Sequence, residues 1–486
     1  MREELMYING KEVESVSGEW MNVENPSKVG TYSGRVPKAG AEDVDLAAKA
    51  AKEAFKTWRK TSPRERGAIL LKAAAELEKI KEEIAYTIAS ENGNAIRTQA
   101  RGEANGAVDL FRYYAGLGTE LKGTTYPGPN NLFLYSYREP VGVVAAIVPW
   151  NAPVQLTAGK LGSALIAGNT VILKVASDAP MAAMLVAKTA AKLLPPGVLN
   201  VLSGSGTVCG NALARHPLIN KISLTGSTEV GKEVMRQAAD HIVNTTLELG
   251  GKNPQIVFKD CIIDKTVKGI FNGTRVTRQG QSCTSGANVY IHKDIFDEVV
   301  SKLAEEAEKL KIGDACDEAN DMGAITNKAQ YNDVINYIKT AMAEPDTKLV
   351  AGGLPPTEGP LSEGYFALPT IFTGKGNSSI LAKEEVFGPV IICIPFETEE
   401  EVIAMANETK YGLAAFIWTQ DTAKALRVAR EIEAGWTLIN GAGGQIAGQP
   451  YGGVKESGLG REYCLEGMLE SFTELKSVVV SLDYTE

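Results

Sequence analysis

The chain has 486 residues, of which 44% are hydrophobic and 22% charged, a composition typical of a globular protein with two or three domains. The net charge of −9 argues against nucleic acid and anionic membrane as partners, because both select a basic face. The longest apolar stretch, VGVVAAIVPW, is too short to span a bilayer, and no apolar signal core opens the sequence, so we expect a cytoplasmic protein.

The predicted elements fall into two alternations that follow a helical region. Residues 41–90 carry apolar residues at helical spacing and predict two or three amphipathic helices, with Ser62 capping the helix that starts at Pro63. From Val141 onward, buried apolar strands alternate with helices, and a second alternation follows Gly250. Strands of this kind predict an α/β fold with a doubly wound parallel sheet, which binds ligands at the carboxyl ends of its strands.

Two apolar segments stand outside these alternations. NLFLYSYREP interrupts the first one, and SVVVSLDYTE lies at the C-terminal end. An unpaired apolar strand promotes aggregation, so we expect the C-terminal strand to pair with another chain. Pairing within its own subunit is the alternative that the sequence leaves open.

The cysteines give little basis for a metal site. No two of the six form a C-x-x-C pair, and the chain has only three histidines. Cys283 differs from the others because small polar residues surround it in RQGQSCTSG, where Gly280 and Gly286 allow close approach to the thiol. It is a candidate nucleophile, although a turn with an incidental cysteine would show the same pattern.

Two polar residues are candidates for acid–base and oxyanion roles. Glu248 in LELGGKNP precedes paired glycines and could act as a general base, or it could be a solvated glutamate at a strand end. Asn151 in VPWNAP follows a strong strand and offers a neutral NH₂ donor for an oxyanion hole, or it could cap the next helix.

A phosphate seat is predicted in LTGSTEVG, residues 224–231. A strand ends there and a helix begins, so the backbone N–H groups and the Ser227 hydroxyl could hold a phosphate. The spacing from Gly226 to Gly231 is not that of G-x-G-x-x-G, and SGSGTV at 203–208 is only a weak glycine signal.

Six motifs occur in the order found in the aldehyde dehydrogenase superfamily, which the chain resembles over nearly its whole length. They are PWNAP (149–153), LTGSTEVG (224–231), LELGGKNP (247–254), GQSCTSG (280–286), EEVFGPV (384–390) and PYGGVKESGLGRE (450–462). The resemblance implies a Rossmann-like cofactor domain, a second α/β catalytic domain and a small β element for oligomerisation. The implied boundaries are 1–121 with 142–251, 252–445, and 122–141 with 470–486; residues 446–469 would return to the cofactor domain.

The resemblance also implies a mechanism. Cys283 would attack the aldehyde, Asn151 and the Cys283 N–H would hold the oxyanion, and Glu248 would activate water to hydrolyse the thioester. Lys160 matches a lysine proposed to relay protons from this base. Further residues match cofactor-binding positions for NAD or NADP: Trp150, Lys174, Ser177, Gly226, Ser227, Leu249, Gly250, Glu385 and Phe387.

Four positions depart from the family pattern: Ala152, Ser177, Arg278 and Tyr451. We expect none of them to touch the nucleophile, the base or the oxyanion donor. Ser177 stands where many NAD-dependent members carry glutamate, so we expect NADP to be preferred over NAD. Tyr451 replaces the usual phenylalanine of PFGG, and Ala152 could reshape the substrate tunnel.

We therefore expect a homodimer or homotetramer that oxidises an aldehyde to a carboxylate with transfer of a hydride to NAD(P)⁺. One alternative is a CoA-acylating semialdehyde dehydrogenase, which passes the thioester to a thiol. Glu248 argues against it, because the acylating members generally lack this base. A catalytically silent structural or binding protein on the same fold is the other alternative.

Overall fold

Two large sheets of mainly parallel strands, one of eight strands and one of seven, form the framework on which the helices pack. The computed structural model describes residues 2–484. Within them the strands are, in chain order, β1 (Arg2–Glu3), β2 (Met6–Ile8), β3 (Lys11–Val13), β4 (Trp20–Glu24), β5 (Tyr32–Pro37), β6 (Thr124–Tyr126), β7 (Leu132–Pro140), β8 (Val143–Ile147), β9 (Thr170–Lys174), β10 (Leu199–Leu202), β11 (Lys221–Thr225), β12 (Asn244–Glu248), β13 (Pro254–Val257), β14 (Asn288–His292), β15 (Thr347–Ala351), β16 (Thr370–Gly374), β17 (Val390–Phe396), β18 (Ala414–Trp418), β19 (Trp436–Ile439), β20 (Gly458–Leu459) and β21 (Thr473–Ser481). The α-helices are α1 (Ala41–Trp58), α2 (Pro63–Lys79), α3 (Lys81–Asn92), α4 (Arg101–Gly116), α5 (Pro153–Ala167), α6 (Met181–Ala191), α7 (Asn211–Ala214), α8 (Thr228–Ala239), α9 (Ile263–Gly273), α10 (Phe296–Lys309), α11 (Lys328–Ala343), α12 (Ile380–Lys383), α13 (Glu399–Asn407), α14 (Thr422–Glu431) and α15 (Leu465–Phe472).

The eight-stranded sheet has the order β20-β12-β11-β8-β9-β10-β2-β3, and its five central strands run parallel. Every residue of β8, β9, β10 and β11 is buried, and α1 and α5 both pack on β9. Strands that are covered in this way have no solvent-facing side, which is why β8 reads as a continuous apolar run and why even the polar residues of β11 are buried. The predicted α/β fold class is confirmed.

The seven-stranded sheet has the order β15-β16-β17-β14-β13-β18-β19, and β15 alone pairs antiparallel in it. Strands β13, β14, β17 and β18 carry the apolar runs of the second predicted alternation. Phe258, Tyr290, Phe372 and Phe396 belong to a buried cluster on this sheet that is separate from the main core. The two parallel sheets bring the ends of their strands to one cleft.

The helical region 41–92 contains three helices, as predicted. Ser62 Oγ accepts a hydrogen bond from the backbone N–H of Glu65, and the Glu65 carboxylate accepts one from the backbone N–H of Ser62. This reciprocal cap satisfies two N–H groups that the helix cannot bond internally. Together with Pro63 at the first helical position, it fixes where α2 begins.

The C-terminal strand has a partner within its own chain. β21 pairs antiparallel with β7, from Thr473 opposite Pro140 to Ser481 opposite Leu132, and β6 lies on the other side of β7. One edge of β21 is therefore paired within its own chain, the alternative that the sequence left open, because the two outlying apolar segments pair with each other. Pairing of this strand with another chain stays a prediction. Residues 485 and 486 of the predicted C-terminal segment, and residue 1 of the predicted cofactor domain, lie outside the described residues.

The short strands β1 to β5 were not predicted, since segments of two to six residues carry too little pattern. Two of them extend the large sheet, where β2 pairs antiparallel with β10 and β3 with β2. None of the helices between residues 2 and 484 combines the length and the apolar character needed to cross a membrane.

Candidate active site

A cavity of about 640 Å³ opens where the carboxyl ends of β8, β11 and β12 meet the loop that carries Cys283 and helix α11. This is the edge at which doubly wound sheets bind their ligands. Nine of the thirteen site residues predicted from the sequence line it: Trp150, Asn151, Gly226, Ser227, Leu249, Gly250, Cys283, Glu385 and Phe387. The other four, Glu248, Lys160, Lys174 and Ser177, are not among its lining residues.

The loop that carries Cys283 has an unusual backbone. Arg275, Gln279 and Gly280 all have positive φ, between 53° and 66°, and a side chain on Gly280 would collide with the carbonyl of Gly388. The Asn253 side chain fixes the loop, because its Nδ2 donates to the backbone carbonyls of Cys283 (2.8 Å) and Ser285 (2.9 Å). Strain of this kind is kept where a fixed geometry is needed.

The Cys283 thiol is partly exposed to the cavity but lies in poorly hydrated surroundings. Burial raises the pKa of Cys283 to about 11. A hydrogen bond with Tyr451 and the charge of Arg275 lower this pKa, whereas the charges of Glu385 and Glu248 raise it. The thiol is therefore mostly protonated at neutral pH unless a donor or a base acts on it.

Asn151 lies two residues before the first residue of helix α5, Pro153. Asn151 Nδ2 donates to the Gln281 carbonyl at 3.1 Å, which ties it to the loop that carries Cys283, and the carbonyl of Asn151 accepts from Asn94 at 3.4 Å. An amide NH₂ has two hydrogens, and only one is engaged by Gln281. The second hydrogen can serve an oxygen in the cavity.

Glu248 ends β12 and is only 2% exposed, so the alternative of a solvated strand-end glutamate is wrong. Neither carboxylate oxygen has a hydrogen-bond partner among residues 2–484. Burial raises the pKa of Glu248 well above its ordinary value and Glu462 adds to this, whereas Lys160 and Arg461 lower it. A buried carboxyl without partners is expensive in a purely structural role and is typical of a catalytic base.

Lys160 belongs to a buried ion pair beside this carboxyl. Its Nζ donates to Glu462 Oε1 at 2.7 Å and to Ser223 Oγ at 2.9 Å, and its side chain is 1% exposed. The pair connects helix α5 to Glu462, and the backbone of Glu462 forms an isolated β-bridge with Tyr451. Lys160 can thus act on Glu248 through its charge.

The other side of the cavity is aromatic and acidic. The rings of Trp150 and Phe387 meet edge to face with centroids 5.5 Å apart, and Phe387 has a φ of 51°. Glu385 Oε1 accepts from the Gly251 N–H at 3.0 Å, and its other oxygen occupies the space that a side chain on Gly250 would fill. Burial raises the pKa of Glu385 to about 7.

Lys174 is the last residue of β9, and Ser177 follows in the loop after that strand. Burial lowers the pKa of Lys174, and the charges of Cys209 and Asp178 partly offset this effect. Ser177 is half-buried, while Ser227 is exposed and caps helix α8 through its hydroxyl and the N–H of Val230. Asp178 places a carboxylate near Lys174 that the sequence patterns did not single out.

One expectation about the departures is wrong. The hydroxyl of Tyr451 lies 3.4 Å from Cys283 Sγ, so this departure does touch the predicted nucleophile. Arg278 instead faces the buried carboxylate of Glu103 at 3.4 Å, and Ala152 precedes helix α5. The missed contact joins residues 168 positions apart, a distance at which no local pattern signals proximity.

Sequence reasoning also missed one wall of the cavity. Helix α11 and its surroundings contribute Gln330, Asp333, Asn336, Tyr337 and Thr340. These residues lie at helical spacing on an ordinary amphipathic helix, so their pattern did not distinguish them from a solvated face.

Comparison with known proteins identifies the family of the chain. The model of the aldehyde dehydrogenase family matches residues 13–478. DhaS of Bacillus subtilis (strain 168), whose name assigns it to the aldehyde dehydrogenases, is 40% identical over 481 residues, which cover 98% of this chain and 96% of that protein. The NAD⁺ complex of an aldehyde dehydrogenase from Bacillus cereus has 37% identity and a TM-score of 0.95, covering 99% of this chain and 97% of that one. An NADP dependent enzyme from E. coli has 35% identity and a TM-score of 0.95, covering 99% and 98%. The chain therefore belongs to the aldehyde dehydrogenase family.

Proposed function

We propose that this member of the family oxidises its aldehyde at Cys283 and releases the product as a carboxylate. The observation that carries the proposal is that a thiol and an amide donor line one cavity, while a buried unpaired carboxyl, Glu248, is close enough for its charge to act on that thiol. The Cys283 sulfur attacks the carbonyl carbon, and the carbonyl π electrons move to the oxygen. Loss of hydride from that carbon leaves a thioester on the cysteine, which water then hydrolyses.

Asn151 and the backbone N–H of Cys283 stabilise the oxyanion that forms during attack. The Asn151 amide is neutral and fixed by Gln281, so it needs no reorganisation when charge develops on the oxygen. A donor of this kind contributes about 10²–10³ in rate. The same two groups stabilise the second oxyanion, when water adds to the thioester.

Glu248 acts as the base for the hydrolytic water. Its raised pKa gives it the affinity for a proton that this step needs, and Lys160 and Glu462 tune that affinity through their charges. Once water has attacked, the C–S bond breaks, the carboxylate leaves and the thiol is regenerated. Glu248 also disfavours a CoA-acylating enzyme, which would release the thioester to a thiol without a base for water.

The cavity residues fit a nicotinamide dinucleotide, which accepts the hydride when it is bound. The start of helix α8 offers N–H groups to phosphates, together with Ser227, Gly226 and Trp150. Glu385 suits the ribose next to the nicotinamide, with Phe387 beside it, and Leu249 and Gly250 line the floor. Lys174 suits the adenosine ribose at the far end.

NADP is proposed to be used efficiently and in preference to NAD, because Ser177 puts no carboxylate against a 2′-phosphate. The nearby cation of Lys174 favours the same choice. Asp178 acts in the opposite direction, since its charge is close enough to influence Lys174. Relatives of both kinds exist: the Bacillus cereus structure holds NAD⁺, and the E. coli enzyme is NADP dependent.

The remaining proposals concern organisation. Residues 1–121 and 142–251 are proposed to form the cofactor domain, with 446–469 returning to it, and residues 252–445 the catalytic domain. Residues 122–141 and 470–486 are proposed to join subunits of a cytoplasmic homodimer or homotetramer. The exposed outer edge of β21, with Leu475 and Val479 58% and 65% exposed, supports this role.

The test is an NAD(P)H absorbance assay with a panel of aldehydes and both cofactors. Cys283→Ala is expected to abolish oxidation while cofactor binding persists, and Glu248→Gln to give a burst of NAD(P)H followed by slow turnover. Cys316→Ala is the matched control, since Cys316 is likewise partly exposed but lies outside the cavity. Near-normal turnover in Cys283→Ala would refute the proposal, whereas a wild-type protein that oxidises no aldehyde with either cofactor would favour the silent-protein alternative.

A further inference from the structure

Tyr451 is the only polar side chain for which a hydrogen bond to Cys283 Sγ is seen among residues 2–484. Its ring is 3% exposed and lies between Trp436 and Tyr463, each meeting it edge to face with centroids 5.6 Å away. Its backbone exchanges hydrogen bonds with Glu462 at 3.1 and 2.7 Å. The hydroxyl is therefore fixed in position and cannot swing away from the sulfur.

The direction of the hydrogen bonds around Tyr451 can be followed outward from the thiol. Gln445 lowers the pKa of Tyr451, which is the direction expected when its NH₂ group donates to the Tyr451 oxygen, and Gln155 Nε2 donates to Gln445 Oε1 at 3.2 Å, in keeping with that orientation. With that acceptor position filled from Gln445, the Tyr451 O–H is directed at Cys283. Three donors in series thus point at the sulfur, an arrangement that suits a negative charge there.

The charges that face Cys283 make such a donor useful. Glu385 and Glu248 both oppose a thiolate, and Arg275 favours it. Arg275 is held by the Gly443 carbonyl, on the same loop as Gln445. Two carboxyl groups against one guanidinium leave the thiolate in need of further stabilisation.

We propose that Tyr451 is a catalytic hydrogen-bond donor that stabilises and orients the Cys283 thiolate, with Gln155 and Gln445 as its positioning residues. It donates a hydrogen bond and transfers no proton. Burial and the neighbouring Cys283 and Glu248 raise the pKa of Tyr451 well above 10, so the hydroxyl stays protonated. The proposal rests on Cys283 being the nucleophile, as proposed above.

The experiment measures the thiolate itself, without an aldehyde. Alkylation of the Cys283-containing peptide by iodoacetamide is followed by mass spectrometry as a function of pH in the wild type and in Tyr451→Phe. Loss of a hydrogen bond to a charged group should raise the midpoint of this profile by about one pKa unit. At pH values below both midpoints, the thiolate fraction then falls tenfold. kcat/KM for the aldehyde should fall about as much, and cofactor binding should not change.

Two further variants separate this role from packing. Tyr463→Phe is the control, because the Tyr463 hydroxyl is buried without a hydrogen-bond partner among residues 2–484, so its profile should match the wild type. Gln445→Met should shift the midpoint in the same direction by less than Tyr451→Phe. An unshifted profile in Tyr451→Phe, or an equal shift in Tyr463→Phe, overturns the proposal. Because alkylation needs no turnover, this outcome is distinguishable from failure of the proposed function.

Discussion

Replacing Glu462 by glutamine is expected to change both the stability of the fold and the pH dependence of turnover. Lys160 Nζ and Glu462 Oε1 lie 2.7 Å apart, which at an effective dielectric near 20 corresponds to about 6 kcal/mol of attraction before desolvation. Removing one partner of a buried pair costs about 3–5 kcal/mol, since the other charge loses its compensation. We expect the free energy of unfolding of Glu462→Gln to fall by this amount.

The effect on turnover follows from the charges around Glu248. Burial, and then Glu462, raise the pKa of Glu248, and Lys160 lowers it. A general base acts only when it is deprotonated, so hydrolysis is lost as the pH falls through this raised pKa. Glu462→Gln removes a negative charge and lowers the pKa, which moves the acid limb of kcat to lower pH by about one unit. Lys160→Met removes a positive charge and moves the limb to higher pH.

The measurements are kcat as a function of pH under conditions where hydrolysis limits turnover, and unfolding in guanidinium chloride. Glu466→Gln serves as the control, because Glu466 is an exposed carboxylate on the following helix and should change neither quantity. If Glu462→Gln and Lys160→Met move the acid limb in the same direction, or leave it in place, the assignment of these charges to Glu248 is refuted.

Three other predictions concern the oxyanion donor, the cofactor and assembly. Asn151→Ala should slow the burst of NAD(P)H by about 10²–10³, and an unchanged burst rate in stopped flow would contradict its role. Ser177→Glu should reduce kcat/KM for NADP far more than for NAD, because like charges about 4 Å apart repel by roughly 4 kcal/mol at a dielectric near 20; an unchanged ratio would count against it. A chain that ends before Ser477 should become monomeric or aggregate, and light scattering that shows an oligomer with the wild-type number of subunits would assign β21 another role.

The parts of the molecule that the sequence predicted are those with local or repeated patterns. Strand–helix alternation gave the central strands β8 to β11, Ser62 with Pro63 marks a helix start, and the ordered motifs gave the residues proposed as nucleophile, base and donor. Contacts between distant residues could not be predicted in this way. Tyr451 meets Cys283 only because β19 and the segment after it return to the cleft, and α11 lines the cavity with residues typical of any surface helix.

The pairing of β7 with β21 also has a consequence for how the protein is made. Arg138 on β7 and Thr473 on β21 bond across 335 residues, so β7 leaves the ribosome long before its partner is synthesised. Closing a flexible loop of that length costs about 5 kcal/mol of chain entropy, unless the intervening residues have already folded. The three-stranded sheet should accordingly be among the last parts to form. Until then the edge of β7 that pairs with β21 is open to chaperones and to other nascent chains, and slow translation lengthens that exposure.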